Sequence, residues 1–126
     1  MIRFDNLNRN HGTKLMSFRF NGREYEVRCT EHSLERFVER GLNIDEALGA
    51  IITLGKERLD YLSEKGDDVA IIDKYQGQTV IITFESEGDY TQIRIATIIK
   101  KTNVYVKEGT KILCLSNCKE GFQEWI

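Results

Sequence analysis

The chain of 126 residues carries 18 lysines and arginines against 20 aspartates and glutamates, a formal net charge of −2 at pH 7. That balance excludes a protein that coats nucleic acid through bulk electrostatics, because displacing counterions from phosphates needs a large basic excess. With 40% hydrophobic and 30% charged residues, residues 1–126 read as one folded domain with its own core.

Taken in chain order, residues 1–13 are polar and read as a loose lead-in. Lys14 to Phe20 alternates Leu15, Ser17 and Arg19 against Met16, Phe18 and Phe20, and Asn21-Gly22 separates this run from Arg23 to Cys29. Asn-Gly between two such runs signals a β-hairpin, since both residues tolerate positive φ. Thr30 is placed to cap a helix over Glu31 to Arg40 that stops at Gly41, and Asn43 to cap a second over Ile44 to Leu54 before Gly55. Lys56 to Asp68 is polar and reads as a connection, with Leu59, Tyr61 and Leu62 able to pack. Runs rich in isoleucine, valine, threonine and tyrosine then predict strands at Val69 to Tyr75, Thr79 to Phe84 and Tyr90 to Ile99, with turns at Gln76-Gly77 and Glu85 to Asp89. Asn103 to Lys107 and Lys111 to Leu115 add a further strand or hairpin around Glu108-Gly109. The expected fold is α+β: an N-terminal hairpin and two short helices on one face of a four- to five-stranded antiparallel sheet.

The chain has no proline, where average usage of about 5% would supply several, which argues against a proline-rich linker. No apolar run approaches the ~18 residues of a membrane span, and residues 1–10 lack the apolar core of a secretory signal, so no membrane and a cytoplasmic location are expected. Cys29, Cys114 and Cys118 are odd in number and split, as free thiols in a reducing compartment would be. Cys114-x-x-x-Cys118 needs two further ligands to hold a metal, and no metal or other cofactor is expected.

The densest chemistry lies in Glu31-His32-Ser33-Leu34-Glu35-Arg36-Phe37-Val38-Glu39-Arg40-Gly41. At 100° per residue His32, Arg36 and Arg40 form one stripe, with Leu34, Phe37 and Val38 on roughly the opposite side as a core face. Like charges four residues apart cost a helix a few tenths of a kcal/mol each, so Arg36 and Arg40 are not there for helix stability. The column Glu31, Glu35 and Glu39 has the same defect. One reading is a mutually neutralised solvated face, with Arg36 reaching Glu39. The other is phosphate chemistry: a guanidinium fork matches two phosphate oxygens, and a histidine titrating near neutrality moves a proton.

The run His32-x-x-x-Arg36-x-x-x-Arg40-Gly41, followed by a second short helix and β-strands, resembles small domains of unassigned function that begin with a His, Arg, Arg-Gly helix. These are similar to the BrnT and RelE-like toxin nucleases, within the group that includes barnase, EndoU and the colicin RNases. The resemblance covers about residues 29–99 and implies one or two helices before a four-stranded antiparallel sheet. It also implies metal-independent RNA cleavage at a cleft on the sheet, with further active groups at the end of the last core strand: Arg94, Thr97, Lys100 and Lys101.

Charge by segment adds to this. Residues 91–111 hold five basic residues against one acid, and residues 1–30 six against three, whereas residues 31–68 hold five against ten. Basic charge concentrated in strands suits a local phosphate cleft, and edge-strand lysines that discourage aggregation explain it equally well. His11, in the lead-in, reads as a surface residue. Cys29 beside His32 lacks an orienting third group and reads as a buried thiol. Tyr61, Tyr75, Tyr90 and Tyr105 are able to stack bases but more often pack, and Trp125 reads as a tail anchor or partner contact.

The leading expectation is a small endoribonuclease of the toxin type. His32, Arg36, Arg40 and Lys100 would be its catalytic groups, and Arg94, Thr97 and Lys101 would contact RNA. Its partners would be an RNA substrate and a protein antitoxin or other protein. The alternative is a catalytically silent binding module of the same fold: an inhibitor, an immunity protein or a phage-encoded regulator.

Overall fold

The computed structural model describes residues 12–20, 22–117 and 122–125, and Asn21, His11 and Cys118 lie outside the described residues, as does the side chain of Trp125. Strands β1 (Thr13–Phe20) and β2 (Arg23–Cys29) form the expected antiparallel hairpin. Strands β3 (Val69–Asp73), β4 (Gln78–Glu87) and β5 (Tyr90–Ile99) form the expected meander. It is longer in β4 than the sequence suggested, because the strand runs on to Glu87 before the turn at Gly88.

The sheet corrects the expectation of four or five antiparallel strands. Among the described residues it has seven, in the order β1-β2-β5-β4-β3-β6-β7, with β6 at Lys111–Asn117 and β7 at Phe122–Trp125. Two of its pairings are parallel. The hairpin joins the meander through β2 and β5, and β6 joins β3 on the other side. No strand forms over Asn103 to Lys107, so the hairpin suggested around Glu108-Gly109 is absent. A parallel partner is reached through a long connection, which local alternation does not encode.

Three helices fill the connection between β2 and β3: α1 (Glu31–Glu39), α2 (Ile44–Thr53) and α3 (Gly55–Lys65). The third occupies the stretch expected to be a connection. It has no side-chain cap at its start, since Leu54 leads directly into it and Gly55 turns the chain with φ of 84°. It is held by burial instead, because Leu59 and Leu62 are fully buried against the sheet.

All three helices cover one face of the sheet. Tyr25, Val27, Ile93, Ile95, Ile98, Val80, Ile82, Val69, Ile71 and Leu113 share that face and pack with Phe37, Ala47, Ile51, Leu54, Leu59 and Leu62. Among the described residues no helix is long and apolar enough to cross a membrane.

On the other face the residues between these core positions build a polar cluster. Glu26 is only 2% exposed, and its Oε1 accepts from Arg28 Nε at 2.7 Å and from the Tyr90 hydroxyl at 2.7 Å. Lys14 Nζ lies 3.9 Å from Oε2. Burial, and then the hydrogen bond to Glu26, push the Tyr90 phenol well above the ordinary tyrosine range. The folded state therefore holds this proton more tightly than the unfolded chain, and the stability it contributes is present below pH ~10 and lost as pH rises beyond that. Denaturant midpoints measured across this range are expected to fall at alkaline pH, with a shallower fall in Tyr90→Phe. An identical fall in both proteins would place the titrating group elsewhere.

Candidate functional site

Helix α1 begins and ends where the sequence places its signals. The Thr30 hydroxyl accepts from Ser33 N at 3.0 Å, in the geometry of an N-cap. At the other end Gly41 takes φ of 69°, with Gly41 N donating to Val38 O at 3.0 Å and Leu42 N to Phe37 O at 2.9 Å. That pair of bonds is a Schellman stop. The start is also approached closely by Gly12, where a Cβ would stand 2.8 Å from both Cys29 O and Glu31 N. Only glycine lets the chain pass that close to the junction of β2 and α1.

Strand β2 pairs with β5 from Glu24 opposite Tyr90 to Arg28 opposite Arg94, and ends at Cys29. Beyond that point α1 takes its place beside β5. At the same place β5 bulges, since Ile81 faces Thr97 and Ile82 faces Ile95, leaving Ala96 as the extra residue. Bulges re-aim side chains and recur next to functional sites. The result is a cleft of about 180 Å³ lined by His32, Ser33, Arg36, Phe37, Arg40, Ala96 and Thr97. Four of the residues singled out in the sequence, His32, Arg36, Arg40 and Thr97, therefore meet in one cleft.

The expected neutralised face does not form. Among the described residues neither Arg36 nor Arg40 makes an ion pair, and neither do Glu31, Glu35 or Glu39. The expected core face is also narrower than its spacing suggests: Phe37 is buried and Leu34 half-buried, but Val38 is 67% exposed.

The remaining candidates lie outside the cleft lining. Lys100 Nζ is 3.9 Å from Glu46 Oε1 on α2. Lys101 is exposed and contributes its backbone carbonyl, which accepts from the Thr79 hydroxyl at 2.8 Å. Arg94 stands between the core residues Ile93 and Ile95 and so points to the face away from the helices. There it shares a row with two cations not singled out from the sequence, since Lys14 is opposite Arg28 and Arg28 opposite Arg94. The two basic segments thus meet in adjacent strands. Ser33 and Ala96 were also missed. A helical wheel sets Ser33 between the cationic stripe and Phe37, but nothing local marks the bulge that brings Ala96 forward.

Tyr90 is buried and unable to stack a base, whereas Tyr61, Tyr75 and Tyr105 are exposed. Cys29 and Cys114 are buried free thiols, and burial raises the Cys29 pKa, which opposes a role as nucleophile. Comparison of the chain with protein-family models, curated proteins and solved structures found no match.

Proposed function

We propose that the chain is a small endoribonuclease of the toxin type, working at the cleft between α1 and the bulge of β5. What supports this reading is that His32, Arg36 and Arg40 on α1 and Thr97 on β5 line one cleft. At about 180 Å³ it is smaller than the ~300–1,000 Å³ pockets that enclose a whole small molecule. It suits a phosphodiester and its ribose rather than a complete cofactor.

In this reading the guanidinium forks of Arg36 and Arg40 hold the non-bridging phosphate oxygens. His32 accepts the proton of the ribose 2′-hydroxyl. The new bond joins O2′ to phosphorus, the bond from phosphorus to O5′ breaks, and O5′ takes a proton from solvent. The products are a 2′,3′-cyclic phosphate and a 5′-hydroxyl. The chemistry draws on general base catalysis and on charge stabilisation by fixed cations. The Thr97 hydroxyl adds a neutral donor at the opposite wall.

Incubating the pure protein with total RNA in EDTA tests this, with fragments ending in cyclic phosphate as the expected result and intact RNA at micromolar protein as the result that overturns it. The silent binding module is separated by expression in cells, where an active nuclease arrests growth.

A further inference from the structure

The anionic side of α1 has its own geometry, independent of the cleft. Val38 is 67% exposed, although the spacing of apolar residues assigns it to the core. It lies at one edge of an open groove of about 440 Å³ lined by Val38, Gly41, Leu42, Asn43, Ile44 and Asp45. The Schellman stop creates this groove, because it turns the chain back so that Leu42 and Ile44 come beside Val38. Leu42 and Ile44 are half-buried, each keeping a side open to solvent.

The rim is acidic. Glu35 sits three residues before Val38, next to it on the helix surface, with Glu31 a turn earlier and Glu39 after it. All three are exposed, as is Asp45 in the groove itself, and among the described residues none of the four is in an ion pair. Among the described residues the groove lining holds no lysine or arginine. Nucleic acid is repelled by such a surface, and a symmetric dimer through it would set carboxylates against carboxylates.

We infer that the groove formed by Val38, Leu42 and Ile44 is a docking surface for a cationic amphipathic segment of a partner protein, whose aliphatic side chains enter it while flanking lysines or arginines meet Glu31, Glu35, Glu39 and Asp45. A short apolar contact supplies the affinity and the acidic rim supplies steering and orientation. The inference holds whether or not the cleft cleaves RNA.

The test uses the full chain and a fluorescein-labelled amphipathic helical peptide of leucine and lysine, with a leucine and glutamate peptide of the same pattern as control. Binding is read by anisotropy and mapped by backbone amide NMR shifts. The basic peptide is expected to bind with shift changes concentrated over residues 31–45, and Val38→Asp and Glu35→Lys each to weaken it by about tenfold. RNA cleavage by the same two variants should be unchanged, which separates failure of this surface from failure of the cleft. Equal affinity of the variants, equal binding of the acidic peptide, or shift changes elsewhere would overturn the inference. So would sedimentation showing a wild-type dimer that Val38→Asp dissolves.

Discussion

His32→Ala is expected to slow the proposed RNA cleavage by about 10²- to 10⁴-fold, the range that positioned acid–base groups contribute, and to leave the thermal midpoint unchanged. The two halves of this expectation have separate causes. The side chain is exposed on α1 and makes no hydrogen bond or ion pair among the described residues, so its removal leaves the core and both helix caps intact. If it takes the proton from the 2′-hydroxyl, no other described residue of the cleft replaces it, because their other polar side chains are guanidiniums and hydroxyls. Arg40→Lys supplies the contrast. It keeps the charge but not the bidentate fork, and is expected to raise KM for RNA. Single-turnover cleavage of a short labelled RNA reads both. A His32→Ala rate within a factor of two of wild type would remove His32 from the chemistry.

Leu59→Ala is expected to cost about 2–5 kcal/mol in denaturant unfolding, the usual range for emptying a fully buried leucine site. The reasoning rests on how α3 is held. Its start has no side-chain hydrogen bond, and its sequence is mostly polar, so it attaches to the sheet through Leu59 and Leu62 and through the Tyr25 hydroxyl, which donates to Asp60. A helix of this length is marginal without tertiary packing. Leu59→Ala leaves a cavity at that attachment, whereas Glu64→Ala, on the exposed side, changes stability by less than about 0.5 kcal/mol. Equal effects of the two substitutions would mean that α3 does not pack as described.

Local features were readable wherever a local signal exists. Gly22, the Thr30 and Asn43 caps and the Gly41 stop each mark a boundary that the backbone obeys. The cationic stripe was visible from spacing alone. Three things were not. α3 begins at an uncapped junction directly after α2, so the only trace of it was a pair of leucines in a polar stretch. The parallel pairings of β2 with β5 and β3 with β6 join segments distant in sequence, and strand alternation carries no label for its partner. Val38 fell on the apolar side of the wheel, yet α1 lies beside the end of β2, where the sheet it would pack on has stopped. The same placement explains the cleft: Thr97 joined the helix residues, whereas Lys100, past the end of β5, turned toward Glu46 on α2.

The parallel junction of β2 with β5 also sets when, along the growing chain, the cleft comes into being. Its helical wall is complete by Arg40, but its other wall is Ala96 and Thr97, and the two are held together by a register that pairs Glu24 with Tyr90, 66 positions later. Closing so long a loop costs only slowly more than closing a short one, yet it requires that β5 be present. A chain emerging from the ribosome therefore carries His32, Arg36 and Arg40 long before it owns a site. Fragments cut between α3 and β4 inherit the motif without the pocket, and whatever the cleft does belongs to the finished domain alone.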